Sequence, residues 1–573
     1  MRKAGPTPRL GSPILESQCP WVRLDSGRLL RLQVRSLMWN HDYTPLAGSL
    51  GMSAIVAGLP VFVLLYLLGV RRKPAWVASL FGLVAAAVVA LAAYGMPPSM
   101  VISAAGYGAA FGLFPIGWVV FCAILLYRIT LETGQFEIVK DSVGSLTGDR
   151  RLQALLIAFA FGAFIEGAAG FGTPVAVAAA MLSGLGFSPF YAAAICLLAN
   201  TAPVAFGSIG TPILTLSTVT GLPMDQLSAR VGQICAPISL IVPGYLLAVM
   251  GGWRALKGVM TGAVTCGIAF AVTQFLVSNF VGPQLTDILS SLAALASLVC
   301  LFLVWKPKDT FDLGGHAEAS GAPKHHSGTE LLLAWGPYAI LVIFVLLWGI
   351  YKADLNKVSL ILPWPGLHQQ IYQVPPVVAE PTPYAAIYRF EWLAASGTAC
   401  LMASLLAAAL LRMPPRKLAR VIGATARQLV FPLLTIAAVL ALAFLMNYSG
   451  ATATLGLAFA ATGVLFPFFS SLLGWLGVFL TGSDTSANAL FGNLQVVTAG
   501  RLGLDPILMA ASNSSGGVMG KMISLQSIAV AAAATGMPSA DEARLFRFTL
   551  RHSLLLASAI GLITMVYAYV WRF

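Results

Sequence analysis

Long apolar runs are the feature that most constrains this chain. A membrane-spanning helix needs about 20 mostly apolar residues, and runs of that length recur from residue 48 to residue 571. Hydrophobic residues make up 58% of the chain and charged residues only 10%, too apolar for soluble domains, whose cores stop growing near 250–300 residues. The sequence therefore predicts an all-α polytopic membrane protein with roughly 12–14 transmembrane helices.

The apolar runs divide into two groups around a polar interruption. Residues 38–305 form a first transmembrane half, residues 306–330 a polar linker loop, and residues 331–573 a second transmembrane half. A stretch rich in proline and aromatic residues, 351–391, predicts an external or interfacial loop, since aromatic rings often lie at headgroup level.

The net charge of +13 is carried mostly by short basic clusters beside apolar runs, such as Arg71-Arg72-Lys73. This placement is typical of cytoplasmic loops and excludes a nucleic-acid partner, which would need a soluble basic domain. Residues 1–37 hold seven basic and two acidic residues, a net charge of +5. If Arg71-Arg72-Lys73 is cytoplasmic, residues 1–37 lie outside the membrane, and translocating their positive charge would conflict with the positive-inside rule. We therefore interpret them as a disordered extension or as a mis-assigned start, with translation beginning at Met38.

A weak internal repeat relates the two halves. Gly162, Phe164 and Gly167 match Gly477, Phe479 and Gly482 at an offset of 315, and Asn200-Thr201 matches Asn513-Ser514 at an offset of 313. Both copies fall on the apolar segments richest in glycine, serine and threonine. Paired interrupted segments in corresponding halves are typical of a transporter binding site at the membrane midplane, so we predict broken helices that meet at such a site.

Glycine and proline within these segments predict where the helices break. A break at membrane depth is costly unless each freed backbone group finds a hydrogen-bond partner. Close packing of small-residue helices is the alternative explanation for the glycines. The predicted break residues are Gly167, Gly170, Gly172, Pro174, Pro203, Pro212, Gly482, Gly516, Gly517 and Gly520.

Three charged residues lie in the same segments, where a charge at a helix centre costs about 2.5–3.5 kcal/mol. Glu166 and Asp484 are candidate proton-coupling residues; the alternative is a buried carboxyl satisfied by neighbouring N–H donors. Lys521 is a candidate substrate-binding residue, which would pair with a substrate carboxylate or, alternatively, form an internal salt bridge with Glu166 or Asp484.

Neutral donors accompany the charges, and each could instead form a helix-packing hydrogen bond. The candidate substrate-binding set therefore also includes Asn200, Thr201, Asn488, Asn513, Ser514 and Ser515. Seven isolated cysteines and the lack of a histidine deep in a span indicate no metal site, and we expect no cofactor.

At these residues the sequence resembles the lactate permease family of bacterial secondary transporters. The resemblance extends from Met38 to the carboxyl terminus and depends on six segments: 39–46, 53–60, 164–182, 200–213, 481–495 and 513–531. One departure is Leu525, where similar proteins usually carry proline. The break in the second half is therefore expected to depend on Gly516, Gly517 and Gly520.

The resemblance implies a multi-pass protein of the bacterial cell (inner) membrane that takes up L-lactate and related short 2-hydroxy monocarboxylates (D-lactate, glycolate) with a proton. It also implies a fold of two inverted repeats with broken helices or re-entrant hairpins. It implies a transporter and not an enzyme, with the small-molecule substrate, the proton and the lipid bilayer as partners. The sequence leaves open whether the chain forms a homo-oligomer.

Three other functions are consistent with parts of the sequence. A sodium-coupled carboxylate transporter would hold its cation at carbonyls exposed by the broken helices. An intramembrane enzyme would use Asp484 with Ser483 or Ser486, but no histidine or nucleophile motif accompanies them. A structural scaffold would not need the repeated buried carboxyls.

Overall fold

The computed structural model describes residues 38–170, 172–307, 309 and 326–571. The predictions for residues 1–37 and for most of the 306–330 linker lie outside the described residues. Two units are distinguished: Met1–Trp39, of which Met38 and Trp39 are described, and Asn40–Phe573, which carries all the described helices. A two-residue strand, β1, covers Trp39–Asn40.

The first half consists of helices joined by short turns, and two of its long helices contain a π-helical segment, Gly112–Gly117 and Ala154–Phe161. The helices are α1 (Leu50–Gly69), α2 (Ala75–Ala92), α3 (Pro98–Phe111), α4 (Trp118–Glu132), α5 (Gln135–Gly144), α6 (Arg150–Gln153), α7 (Gly162–Ala168), α8 (Thr173–Gly184), α9 (Pro189–Ala199), α10 (Gly207–Thr220), α11 (Met224–Gly258), α12 (Met260–Phe280) and α13 (Thr286–Val304). A 3₁₀ turn, Val204–Phe206, precedes α10.

The second half begins with a helix that enters the bundle after the linker. Its helices are α14 (Gly328–Ile350), α15 (Lys352–Leu355), α16 (Ser396–Leu410), α17 (Pro415–Ser449), α18 (Ala451–Phe459), α19 (Phe466–Thr481), α20 (Asp484–Leu502), α21 (Pro506–Gly520), α22 (Leu525–Thr535) and α23 (Ser539–Tyr569). Three 3₁₀ turns complete this half: Asn356–Val358, Ala460–Leu465 and Lys521–Ile523.

Eleven helices in the described ranges are long and apolar enough to cross a membrane, or thirteen if each of two bent pairs counts as one span. This confirms the predicted all-α polytopic class. Several helix starts follow from local sequence: the Asp505 carboxyl caps α21 by accepting from Ile507 N at 2.9 Å, and Pro506 takes the first helical position, where a missing N–H costs nothing.

The loop 351–391 contains short strands that the sequence did not predict. They are β2 (Leu360–Pro363), β3 (Ile371–Gln373), β4 (Thr382–Pro383) and β5 (Ile387–Phe390). Strand β2 pairs antiparallel with β5, and β3 with β4. The loop also contacts the helices, since Tyr107 Oη donates to Ile387 O at 2.9 Å and Trp364 Nε1 donates to Ser103 O at 2.9 Å.

Helices of the two halves pack against each other within the second unit. Helix α17 packs on α2 and α3, and its backbone at Leu440 and Ala437 comes so close to Gly108 and Gly112 that a Cβ at either glycine would lie within 2.7 Å of it. These glycines therefore serve helix packing. The division into halves at 305 and 331 stays a prediction.

Candidate functional site

The first break of the first half lies between α7 and α8. The α7 backbone ends at Ala168, and Gly170 and Gly172 adopt φ of +61° and +83°, which residues with a Cβ rarely adopt. Ser208 Oγ donates to Ala169 O at 2.9 Å and so satisfies one carbonyl that the break exposes. Pro174 sits in the first turn of α8.

The first break of the second half lies between α19 and α20. Gly482 ends α19 with φ of +73°, and the Ser483 hydroxyl caps α20 by accepting from Ser486 N at 3.3 Å. Lys521 Nζ donates to Gly482 O at 2.6 Å. At the offset of 313, Lys521 is the counterpart of Ser208. Each of these two residues donates a hydrogen bond to a carbonyl at the first break of its own half.

The second break of each half is a bend between two helices. Helices α9 and α10 are bent by 63° at residues 200–203, and α21 and α22 by 41° at Ser524, which follows the 3₁₀ turn Lys521–Ile523. Pro203 lies in the first of these bends, whereas Pro212 follows the left-handed residues Ser208, Ile209 and Gly210 inside α10. The Ser524 hydroxyl caps α22 by accepting from Ser527 N at 3.2 Å.

Three of the predicted break residues lie inside or at the end of continuous helix. Gly516 and Gly517 lie within α21, and Gly167 within α7, so the expectation that these glycines interrupt a helix is wrong. Each instead permits a close approach: a Cβ at Gly516 would lie 2.1 Å from Ser471 O, and one at Gly517 would lie 2.4 Å from Asp484 Oδ1. Gly520, the last residue of α21, packs on Trp475 O in the same way.

The broken segments of the two halves pack reciprocally. Helix α8 packs on α22, and α10 packs on α20. Each contact joins the helix after the first break of one repeat to the helix after the second break of the other, as a two-fold relation between the repeats requires. The inversion of the repeats relative to the membrane stays a prediction.

A cavity of about 60 Å³ lies where these segments meet, and all three charged candidates line it. The N-terminal residues of α10, α20 and α22 also line it. Its lining comprises Glu166, Val204, Gly207, Ser208, Pro212, Gly482, Ser483, Asp484, Thr485, Lys521 and Gln526. The three charged side chains are buried, with 3–7% of their surface exposed.

Lys521 is placed between the two carboxyls without a direct contact to either. It interacts electrostatically with Glu166 and with Asp484, but among the described residues it forms no ion pair within 4.0 Å, and its one hydrogen bond is the one to Gly482 O. The internal salt bridge considered from the sequence is therefore absent from the described residues.

A hydrogen-bonded network holds one oxygen of Asp484. Ser514 Oγ donates to Asp484 Oδ2 at 2.6 Å and Asn488 Nδ2 approaches it at 3.2 Å, while Asp484 Oδ1 has no hydrogen-bond partner in the described chain. Asn513 Nδ2 donates to Asn488 Oδ1 at 2.9 Å, and Gln495 Nε2 donates to Asn513 Oδ1 at 3.1 Å. The amides of Asn488 and Asn513 thus orient the carboxyl and do not line the cavity.

The remaining candidates lie around Glu166 and behind the cavity. Asn200 faces the Glu166 carboxyl, yet neither its amide atoms nor Glu166 Oε2 reaches hydrogen-bond geometry with a described residue. Thr201 Oγ1 donates to Leu198 O, in the preceding turn of its own segment, at 2.8 Å, and the buried Ser515 hydroxyl has no hydrogen bond within the described ranges.

Two residues at this site were missed by sequence reasoning. Ser208 lines the cavity, and its alignment with Lys521 was the signal that could have identified it. Asp287 is a buried carboxyl close to Glu166; its position at the start of an apolar run made it look interfacial. Over the described ranges, no group of three or more His, Cys, Asp or Glu side chains is placed to hold a metal ion.

Comparison with known proteins identifies relatives over nearly the whole chain. A family model described as L-lactate permease matches residues 53–571. Glycolate permease GlcA of Escherichia coli (strain K12) is 46% identical and covers 93% of this chain and 98% of its own length. The L-lactate permease of Bacillus subtilis (strain 168) is 44% identical, covering 93% and 99%.

Among solved structures, the chain is similar to the YdaH transporter of Alcanivorax borkumensis, with a TM-score of 0.43 and 15% identity. That match covers 82% of this chain and 87% of the other.

Proposed function

The chain belongs to the L-lactate permease family, and on that premise we propose that it takes up L-lactate, D-lactate and glycolate together with a proton. The family consists of permeases and not of enzymes, and its apolar helices make the chain a multi-pass protein of the bacterial inner membrane. Relatives named for L-lactate and for glycolate both support a short 2-hydroxy acid as the substrate.

The charge count of the 60 Å³ cavity is the observation that carries the proposal. Lys521 contributes one positive charge, and Glu166 and Asp484 contribute two negative charges when both are ionised. A lactate anion added to that set would leave two uncompensated negative charges in a buried site, which is costly. One proton on either carboxyl removes half of that excess, so the anion and the proton favour each other's binding.

Backbone dipoles and size also suit a small anion. The N-termini of α10, α20 and α22 border the cavity and present the positive ends of their helix dipoles. The cavity of about 60 Å³ is small, which suits acids as small as glycolate and lactate.

Uptake of radiolabelled L-lactate into proteoliposomes tests the coupling. One proton per anion moves no net charge, so a membrane potential, at about 2.3 kcal/mol per charge per 100 mV, would contribute nothing. We expect an inside-alkaline pH gradient to drive accumulation and an imposed potential to have no effect. Accumulation driven by potential alone would contradict electroneutral proton coupling.

A sodium-coupled carboxylate transporter is the alternative, because the broken helices expose carbonyl oxygens. However, Gly482 O and Ala169 O already accept hydrogen bonds from Lys521 and Ser208, which favours the proton. Replacing sodium by choline separates the two: uptake that persists in choline supports the proton, and uptake that collapses supports sodium.

Glu166→Gln tests the role of the carboxyl within the same assay. Glutamine keeps the size of the side chain but cannot exchange a proton. We expect the variant to lose accumulation driven by the pH gradient while its melting temperature stays near that of the wild type. The exposed Glu380→Gln is the matched control and should transport as the wild type does.

A further inference from the structure

Asp287 is a third buried carboxyl, outside the substrate cavity. It lies in the first turn of α13 with 1% of its surface exposed. Neither of its carboxylate oxygens has a hydrogen-bond partner within the described residues. A buried carboxylate without a partner is costly, and an acid that merely capped the helix would accept from its backbone N–H groups. The position therefore calls for a functional explanation.

The backbone brings Asp287 against Glu166. Gly167, the residue after Glu166, touches the start of α13 so closely that a Cβ there would lie 2.8 Å from Asp287 Cβ and 3.1 Å from Ile288 N. Asp287 and Glu166 interact electrostatically, and Glu166 Oε2 also has no hydrogen-bond partner within the described chain. Two neighbouring carboxyls disfavour being ionised together, so the pair favours holding one proton.

Few other titratable groups surround the pair. Helix α13 packs on α12, α7, α10 and the π-helical segment Ala154–Phe161. Besides Glu166, these elements carry only Cys266 as a titratable side chain, and it is buried among apolar residues. Cys235 of α11 also interacts electrostatically with Asp287. No lysine or arginine of these elements offers the Asp287 carboxyl a counter-ion.

A larger cavity begins just before Asp287. About 660 Å³ in volume, it is lined by Gln284 and Leu285, and by Ile350 and Lys352 at the loop end of α14. The other end of α14 lies beside α5, since His326 Nε2 is 3.3 Å from Asp141 Oδ2, and the basic pair Arg150-Arg151 follows α5 in the chain. The positive-inside rule puts that end in the cytoplasm, and hence the larger cavity on the external side.

We propose that Asp287 is a second proton-binding residue of the transporter, which receives the coupled proton from the external cavity and exchanges it with Glu166. In the exchange the O–H bond at the Asp287 carboxyl breaks as one forms at the Glu166 carboxylate, so charge and atoms balance. This inference depends on the proposed proton-coupled uptake.

Asp287→Asn in proteoliposomes tests the proposal with two readouts. Lactate-for-lactate exchange at equal pH moves no net proton and should be retained. Net uptake driven by a pH gradient requires the proton to load and unload, and should fall about 10²-fold, the range of a lost acid–base group. Asp225→Asn is the control, because Asp225 is an exposed acid that lines the same external cavity, and both of its activities should stay normal.

Wild-type net uptake in Asp287→Asn would overturn the proposal, and so would an equal loss of exchange and net uptake in a normally folded variant. If the variant does not fold, the wild type is treated with dicyclohexylcarbodiimide, which modifies protonated carboxyls in apolar surroundings. Peptide mass spectrometry should find Asp287 modified, less so as the pH rises; no modification at any pH overturns the proposal. Failure of the wild type to respond to a pH gradient would instead refute the proposed function.

Discussion

At the level of single residues, Lys521 combines a structural hydrogen bond with a proposed role in binding the anion. Its ammonium group donates to the Gly482 carbonyl oxygen at the break, and among the described residues it is the only cation that lines the 60 Å³ cavity. An ammonium has three donors, so one hydrogen bond to Gly482 O leaves two for a bound carboxylate. The hydrogen bond to Gly482 O thus accounts for a lysine that lies near two carboxyls and forms no ion pair with either in the described residues.

Lys521→Met removes the charge while keeping much of the side-chain length. A hydrogen bond to a charged group contributes about 1.5–3 kcal/mol, so we expect KM for lactate to rise roughly 10- to 100-fold. Initial rates of uptake over a range of lactate concentrations measure this. Lys357→Met, at an exposed lysine of the external loop, is the control; an unchanged KM in Lys521→Met would remove Lys521 from the binding site.

The charged residues of the site could be identified from the sequence because charges at membrane depth are rare and costly. The neutral polar residues near these charges could not be assigned to binding or to packing in that way. Asn488 and Asn513 are hydrogen-bonded to each other and hold Asp484, whereas Asn200 faces Glu166. Amide side chains suit both binding and packing, and only the folded arrangement decides between them.

At the level of elements, the helix breaks depend on local backbone conformation. Gly482 adopts φ of +73°, and a Cβ there would meet Gln526 Oε1 at 2.7 Å. We expect Gly482→Ala to lower the free energy of unfolding by about 1–2 kcal/mol, from the left-handed backbone penalty. Thermal unfolding in detergent, followed by circular dichroism, measures the change.

Gly500→Ala is the matched control for Gly482→Ala. Gly500 lies inside α20, the helix that follows the break at Gly482, and a Cβ there would meet nothing within 4 Å. Alanine is favoured over glycine in a helix by about 0.8–1 kcal/mol, so this variant should be more stable than the wild type. Equal effects of the two substitutions would contradict the assignment of the break to Gly482.

The break between α21 and α22 does not need a proline at position 525, because Ser524 caps α22. Leu525 is the first helical residue, and Ser524 has ψ of 135°, the extended conformation that precedes proline. We therefore expect Leu525→Pro to fold and transport normally. Val530→Pro, within α22, should cost about 3 kcal/mol; size-exclusion profiles and melting temperatures compare the two.

The sequence indicated which segments break but not every residue that breaks them. Gly170, Gly172 and Gly482 lie at breaks, whereas Gly516 and Gly517 lie in a continuous helix against Ser471 and Asp484. Glycine serves both a left-handed backbone and a close approach between helices. The two uses look the same in one sequence, because they differ in tertiary contacts and not in composition.

At the level of the whole molecule, the segment before α1 is fixed to the second half through His41. Its Nε2 lies 2.9 Å from Tyr448 O, at the end of α17, and its Nδ1 lies 3.3 Å from Tyr43 Oη. Burial lowers the pKa of His41 from 6.5 to about 4, with the hydrogen bond to Tyr448 O partly opposing that shift. The folded protein therefore holds this imidazole neutral.

Stability should fall as the pH drops from about 6.5 to 4, because the unfolded chain binds a proton at His41 in that range and the folded chain does not. The loss saturates near 3 kcal/mol, at about 1.36 kcal/mol per pKa unit. His41→Gln cannot titrate, so its melting temperature should decline less steeply over this range. If the melting temperatures of the wild type and the variant fell equally steeply with pH, the conclusion that His41 is buried in its neutral form would be contradicted.

The overall class and the pairing of broken segments followed from apolar runs and a weak repeat, since both are properties of segments. The reciprocal packing of α8 on α22 and of α10 on α20 could not be predicted, because it depends on contacts between residues about 300 positions apart. Asp287 was missed for the same reason: only the contact of Gly167 with the start of α13 places it beside Glu166.

Proton movement driven by lactate tests the central claim most directly. Proteoliposomes with the potential clamped at zero by potassium and valinomycin receive an inward lactate gradient, and an external dye reports the pH; protein-free vesicles correct for leakage of lactic acid. If the cavity of Lys521, Glu166 and Asp484 carries the anion with a proton, the external medium becomes alkaline, and Glu166→Gln abolishes the signal. Entry of labelled lactate into wild-type vesicles without any external alkalinisation would contradict the account.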